Sequence, residues 1–280
     1  MTKRTMLHDA TEETRDQSQP ADRALLSADT GTLGKAIALV ELVCCADQPL
    51  RFSDILRLTD QPRGSLHRQL KHLVLEGLLD LSPDGTYAAG LRLLNFASRA
   101  WAQNSARKVA EPHLRRLQDL TGETVHFGAL RGADIIYLDK LESRQTVRMH
   151  SQVGNASPVY CTGIGKAALS TLEDARVQQM VRTLQFFPFT PKTILDPETL
   201  LAEIRAIRTQ GFAYDREEHQ PGICCVAAPI CAVSRGFVGG VSVTAPAFRA
   251  QEAQLRDWAR PVLSAAARIE ADLAVALAPR

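Results

Sequence analysis

The sequence predicts an α+β protein of two domains joined by a linker helix, and three observations carry that expectation. The chain has 280 residues with 45% hydrophobic content, enough to bury two cores. Before residue 90 the apolar spacing reads helix, short helix, turn, helix, hairpin. Beyond residue 110 β-rich runs alternate with amphipathic helices, as a sheet flanked by helices requires.

Residues 1–30 are polar and are expected to stay disordered, because they bury too little to offset chain entropy. Acids (Asp9, Glu12, Glu13, Asp16, Asp22, Asp29) outnumber bases (Lys3, Arg4, Arg15, Arg23), so a basic arm is not expected there. Residues 31–90 form the first domain. Leu33, Ile37, Val40 and Val43 or Cys44 recur at helical spacing from Thr32 to Ala46, and Gln48-Pro49 ends that helix. A second helix opens at Phe52-Ser53-Asp54, with Ser53 as N-cap and Asp54 favouring the positive helix end. Asp60-Gln61-Pro62 makes a turn, and the next helix runs to about Glu76 and stops at Gly77. Leu78, Leu79 and Leu81 lead through the turn Ser82-Pro83-Asp84-Gly85 to a returning strand at Thr86-Tyr87. Together these make a winged helix-turn-helix. Leu91 to Val109 reads as one longer linker helix.

Residues 110–280 form the second domain. Glu111 to Leu120 is an amphipathic helix, and Thr124–Leu130, Asp134–Asp139 and Thr146–Ser151 are β-rich. Gly163 to Leu172 opens a helix, and Glu198 to Gln210 forms another that Gly211 stops. Cys225–Cys231 and Phe237–Thr244 read as strands, and Arg249 to about Leu277 as a long terminal helix.

At 100° per residue, Leu66, Leu70, Leu73 and Gly77 fall on one stripe of the helix behind Pro62. Gly64, Arg68, Lys71 and His72 lie opposite, with Arg63 and His67 on the flank. Gln61 to Leu75 holds three Lys or Arg and no acid, as the second helix of a helix-turn-helix requires for a DNA groove. Arg68 is the candidate for bidentate contact to a guanine edge. Ser65 is placed to reach a base or a phosphate, and Arg63, Lys71 and His72 to clamp phosphates. Gly64 costs a helix about 1 kcal/mol, and a small residue there lets backbone approach DNA. The hairpin tip, Ser82 to Thr86, is positioned for the adjacent minor groove. The competing reading is an ordinary solvated basic face.

A formal net charge of +2 makes any nucleic-acid footprint local. Six cysteines (Cys44, Cys45, Cys161, Cys224, Cys225, Cys231) lack zinc-type spacing, so no metal or other cofactor is expected. With neither an apolar run of membrane length nor a secretory signal in the sequence, the cytoplasm is the expected location.

From residue 32 to about 275 the chain resembles the IclR family of bacterial regulators. "QPRGSLHRQLKHL" (Gln61–Leu73) is similar to the family's recognition helix, with Pro62, Ser65, His67 and Arg68 at the matching positions. "VGNASPVYCTGIGKAAL" (Val153–Leu169) and "GFAYDREEHQPGICCVAAPI" (Gly211–Ile230) are similar to its two C-terminal signatures. The resemblance implies a winged helix, a linker helix and a GAF-like effector-binding domain. It also implies binding to two-fold operators, assembly into homodimers or tetramers, and a small carboxylic acid as effector. The stretch around Arg148 to Ala167 looks most like repressors that sense 2-keto-3-deoxygluconate and related sugar acids. Tyr160 and Cys161 stand where His-Ala is commoner, Ile164 where Ala is usual, and Thr244 where Ser is frequent.

Gly163, Ile164, Asp215, Cys225, Ser242 and Thr244 match the family's pocket positions. Chemistry supports the set. Gly163-Ile164-Gly165 at a helix start makes an anion cradle. Ser242 and Thr244 share a strand face and suit a keto or hydroxyl oxygen, and Asp215 suits a sugar hydroxyl. Arg148 is either a charge-assisted ligand contact or a surface pair. Lys166 is either a counter-ion for the ligand or a residue facing solvent or an acid of its own first turn. Glu217, Glu218 and His219 are expected to fix the loop from Gly211 to Gly222. Two other classes stay open: a GAF-type thiol enzyme using Cys225, His219 and Asp215, and a nucleic-acid protein whose second domain only assembles subunits.

Overall fold

The computed structural model describes residues 31–145, 151–232 and 235–276, in two compact units that divide after Leu91. The expected disorder of residues 1–30 and most of the run Thr146–Ser151 lie outside the described residues.

The first unit opens with α1 (Gly31–Cys44), which buries Leu39, Val40 and Val43. β1 (Leu50–Arg51) leads into α2 (Phe52–Leu58), whose one buried side chain is Ile55. Ser53 is not the N-cap. Arg51 holds that position, and the Asp54 carboxylate reaches back to accept from the Arg51 N–H at 2.9 Å. A short acid in the first turn does the capping because the Arg51 side chain offers no acceptor. α3 (Arg63–Leu75) follows, with Leu66, Leu70 and Leu73 buried as the leucine stripe predicts. Each contributes about 1.5–3 kcal/mol by leaving water. β2 (Leu79–Leu81) and β3 (Thr86–Ala89) pair antiparallel, with Leu79 opposite Ala89 and Leu81 opposite Tyr87, and β1 adds to the outer edge of β3. Asp84 holds the hairpin tip by accepting from the Thr86 N–H at 3.1 Å and hydroxyl at 2.7 Å.

The linker is not one helix. α4 (Leu91–Gln103) stops, and Asn104 caps a separate α5 (Ser105–Thr121) by accepting from the Arg107 N–H at 3.0 Å. Asn is among the strongest N-caps, and α5 then runs through Pro112, so the expected helix start at Glu111 falls inside one continuous helix. The joint is fixed by side chains: Trp101 Nε1 donates to Leu138 O, and the Arg107 guanidinium lies 3.9 Å from the Trp101 ring centre and 3.2 Å from Asp139.

β4 (Thr124–Arg131) and β5 (Asp134–Leu141) form the expected hairpin, and β6 (Ala156–Pro158) extends it. α6 (Gly163–Ser170), α7 (Asp174–Thr183) and α8 (Pro197–Gln210) follow, then β7 (Ala213–Arg216), β8 (Ile223–Ala232), β9 (Phe237–Pro246) and α9 (Glu252–Ala276). The six strands form one antiparallel sheet in the order β6-β5-β4-β9-β8-β7. One face carries Val125, Phe127, Val226, Val241 and Val243 against α5 and α9. The other packs Ala213 and Ala227 against α6, α7 and α8. Because side chains alternate between faces, the residues between those valines all point toward α6.

Candidate functional site

On α3, Arg63, Gly64, His67, Arg68, Lys71 and His72 are exposed, while Ser65 is half-buried. The buried leucine stripe turns this basic set outward. Arg63 and His67 are braced by Phe52 of α2, the guanidinium 5.5 Å and the imidazole 6.0 Å from that ring. A Cβ at Gly64 would meet nothing within 4 Å, so internal packing does not call for glycine there. The first turn of α3 contains no acid, and its N-cap, Pro62, offers no side-chain acceptor, leaving its first amides without a side-chain cap.

In the second unit the sheet register puts Asp215 opposite Cys225, Cys225 opposite Thr244, and Thr244 opposite Thr124. One step along, Ala227 lies opposite Ser242, and Ser242 opposite His126. Asp215, Cys225, Ser242, Thr244 and His126 therefore share the face toward α6, and all are buried. The N-terminus of α6 closes on them. A Cβ at Gly163 would lie 2.5 Å from Cys225 Sγ and 3.2 Å from Ala227 Cβ, so only glycine allows this approach. Ile164 covers Gly128 and Gly240. Thr162, the N-cap, takes the Gly165 N–H at 3.3 Å, and the Gly163 N–H faces the Cys225 sulfur. Among the described residues the Ile164 N–H is left as the first-turn donor without a protein acceptor. Gly163, Ile164, Asp215, Cys225, Ser242 and Thr244 thus come together. Arg148 lies outside the described residues.

Lys166 faces neither solvent nor an acid of its own turn. It is 1% exposed and sits 2.6 Å from both oxygens of Glu218 and 3.4 Å from Glu203. Those carboxylates come from the loop after β7 and from α8, a pairing that helical spacing cannot reveal. Desolvation alone would depress this ammonium, but Glu218 and Glu203 outweigh it and hold the pKa above the ordinary lysine value. With its charge matched, Lys166 is a poor counter-ion for anything else. Glu218 N–H donates to Asp215 Oδ1 at 2.7 Å, Glu217 accepts from Gly222 N–H, and Glu217 (φ 64°) makes the turn. The loop-fixing role expected for Glu217 and Glu218 matches this geometry, while His219 packs edge-on against Phe189. Tyr160 is structural too: its hydroxyl accepts from Phe187 N–H at 2.7 Å and donates to Phe187 O at 3.2 Å.

Burial, then the nearby Glu218 charge, lifts the Asp215 pKa to about 7. An unfolded aspartate titrates near 3.8. Between those values the folded chain keeps a proton that the unfolded chain loses, so Asp215's contribution to stability is fully present below about pH 4 and is lost as pH rises through about 7. In thermal melts, Asp215→Asn is expected to gain on the parent between about pH 4 and pH 7 and to hold that gain above it. A constant gap would show that Asp215 ionises freely in the fold.

Burial also pushes the Cys225 thiol well above its ordinary value, opposite to what a nucleophile needs. His126 was the residue sequence reading passed over, although the polar or small alternation Thr124, His126, Gly128 against Val125 and Phe127 marks its face. Among the described residues no helix is long and apolar enough to cross a membrane, and no acid, His or Cys group is grouped to hold a metal.

Comparison with known proteins matches this architecture in both halves. The IclR helix-turn-helix domain matches residues 32–83, and the family described as "Bacterial transcriptional regulator IclR C-terminal" matches residues 99–271. The HTH-type transcriptional regulator BhcR of Paracoccus denitrificans is 30% identical over 272 residues, 95% of this chain and 96% of that protein. The Escherichia coli regulator KdgR is 32% identical over 187 residues (67% of this chain, 71% of that protein), which supports the subgroup resemblance. An IclR homolog of Microbacterium hydrocarbonoxydans, crystallised with 4-hydroxybenzoate, superposes with a TM-score of 0.69 at 26% identity, covering 87% of this chain and 99% of that one. BhcR and KdgR are named transcriptional regulators, which with the raised Cys225 thiol sets aside the thiol-enzyme reading. A winged helix-turn-helix joined to an α+β sheet domain, matched over both parts by one family, means that the chain belongs to the IclR family of DNA-binding bacterial transcriptional regulators.

Proposed function

We propose that the chain is a cytoplasmic repressor, a homodimer or tetramer, whose grip on operator DNA is released by a small carboxylic acid of the sugar-acid type, such as 2-keto-3-deoxygluconate. The observation that carries the reading is the buried polar row Asp215, Cys225, Thr244, Ser242 and His126 on the sheet face that α6 covers. Buried polar groups cost free energy unless matched, and among the described side chains Ser242 is matched only by Thr244 at 3.4 Å, so this row beneath the α6 N-terminus is suited to a ligand oxygen that adds a partner. The Ile164 amide and the α6 N-terminus suit a carboxylate, Ser242 and Thr244 a keto oxygen, and Asp215 a hydroxyl. Arg148 keeps its place in the proposal as a carboxylate partner. Effector binding shifts a conformational equilibrium through residues 91–109, and only a ligand with unequal affinity for the two states does so.

A second reading has one observation in its favour. The relative crystallised with 4-hydroxybenzoate makes an aromatic acid the alternative effector, and the Tyr137 ring, 5.1 Å from that of His126, lies beside the polar row. A thermal-shift screen of keto, sugar and aromatic acids separates the two, because a true ligand raises the melting temperature by mass action. Absence of any shift, with operator binding intact, would favour a second domain that only assembles subunits.

At the operator, Arg68 is proposed to read a base and Arg63, Ser65, Lys71 and His72 to hold phosphates, with Gly64 and His67 admitting the helix to the major groove. Arg68→Ala is expected to cost about 1–3 kcal/mol of specific affinity while effector-induced stabilisation is unchanged. Fluorescence anisotropy on operator and scrambled duplexes checks this, and an equal loss on both would make Arg68 a phosphate contact.

A further inference from the structure

His126 is fully buried on β4, and both of its ring nitrogens are engaged. Nε2 lies 2.7 Å from Ser151 Oγ and Nδ1 lies 3.2 Å from Thr244 Oγ1. Burial, and then the nearby Lys140 ammonium, lower its pKa to about 3. The ring is therefore neutral, with one N–H and one lone pair. Hydroxyl donors make the shorter hydrogen bonds and N–H donors the longer ones. These lengths favour Ser151 O–H donating to Nε2 and Nδ1–H donating to Thr244. Lys140 Nζ fixes the Ser151 end by donating to Ser151 O at 2.6 Å. Thr244, having accepted from His126, has its own proton to give, and Ser242 Oγ stands 3.4 Å away. Ser242 is 2% exposed, and Thr244 is its one side-chain partner among the described residues. With the Thr244 proton directed to it, Ser242 Oγ has no other side-chain acceptor for its own proton among the described residues.

We infer that His126 is a positioning residue that directs a one-way hydroxyl chain through Thr244 to Ser242, so that the effector site ends in a donor and selects a ligand with a keto or carboxylate oxygen there over one with a hydroxyl. A hydroxyl at that place accepts equally but brings a proton into a row whose other oxygens already donate toward it. The opposite tautomer would reverse every arrow and leave Ser242 an acceptor. The inference rests on the effector reading above and narrows its ligand class.

The first test needs no ligand. Magic-angle-spinning NMR of the sedimented full-length protein labelled with nitrogen-15 histidine identifies His126 by the signals that vanish in His126→Asn. The expected spectrum is that of a neutral Nδ1–H imidazole, unchanged between about pH 5.5 and 8. The second test compares pyruvate with lactate, a matched keto and hydroxy pair, by thermal shift. The parent is expected to favour pyruvate by roughly tenfold, a typical return for one well-placed hydrogen bond. His126→Asn, whose amide N–H replaces Nδ1–H, retains the preference, and His126→Phe loses it. An Nε2–H tautomer, a charged ring, or a preference for lactate overturns the inference. An Nδ1–H tautomer in a protein that responds to neither acid nor to sugar or aromatic acids overturns the effector reading instead and leaves the chain's direction standing.

Discussion

Lys166→Ala is expected to destabilise the C-terminal unit by about 3–5 kcal/mol, because it strands a carboxylate in a dry site. Lys166 is 1% exposed and holds Glu218 at 2.6 Å through both oxygens. Glu218 in turn accepts from the Arg216 N–H, and its own N–H anchors Asp215. Removing the ammonium leaves Glu218 to protonate or to drag water inward, and either disturbs the turn that carries Asp215. Removing both charges is a different matter. Lys166→Met with Glu218→Leu is expected to recover much of the loss, since a buried pair replaced by apolar groups of similar volume is often neutral. Both tryptophans, Trp101 and Trp258, lie in the second unit, so urea unfolding followed by intrinsic fluorescence reports that unit alone. If the single variant costs less than about 1 kcal/mol, the pair is surface-like and contributes no more than exposed pairs do.

The contrast between Lys166 and the leucine stripe of α3 shows which features a sequence discloses. Leu66, Leu70 and Leu73 are legible because a helix repeats every 3.6 residues and burial follows that period within one element. Gly211 ends α8 with φ 84°, as a glycine after a periodic run suggests. Lys166 depends on Glu218 and Glu203, 52 and 37 residues away, and no local period encodes such a pairing. β7 was hidden for a related reason. Its Asp215 and Arg216 look like loop residues until β8 pairs with them and α6 covers Asp215. Sequence reading fuses α4 and α5 because Leu91, Leu94, Ala97 and Trp101 keep helical spacing up to Asn104, whose capping bond to Arg107 outweighs continuity. The pocket positions were legible only through likeness to a family, since Gly163, Asp215 and Ser242 are far apart in the chain and are joined by sheet register.

Ser242→Ala combined with Thr244→Val is expected to abolish the effector response while leaving a regulator that still binds its operator. Hydrogen bonds to a neutral keto oxygen contribute about 0.5–1.5 kcal/mol each, so losing both hydroxyls weakens effector binding by roughly one to two orders of magnitude. The two positions do not play equal parts in stability. Thr244→Val leaves His126 Nδ1 without its 3.2 Å partner in a buried site, at a cost of about 1–3 kcal/mol. Ser242→Ala removes a hydroxyl whose one side-chain partner among the described residues is 3.4 Å away, long enough to orient a proton but too long to add much to stability. Ser242→Ala alone therefore separates ligand binding from packing: melting temperature without effector changes little, whereas the acid concentration needed to release operator DNA rises by up to roughly tenfold. Operator release titrated with whichever acid the screen identifies measures this directly. Should Ser242→Ala respond at the parent's acid concentration, the Ser242–Thr244 pair does not touch the effector. The buried polar row would then be an internal brace between β4 and β9.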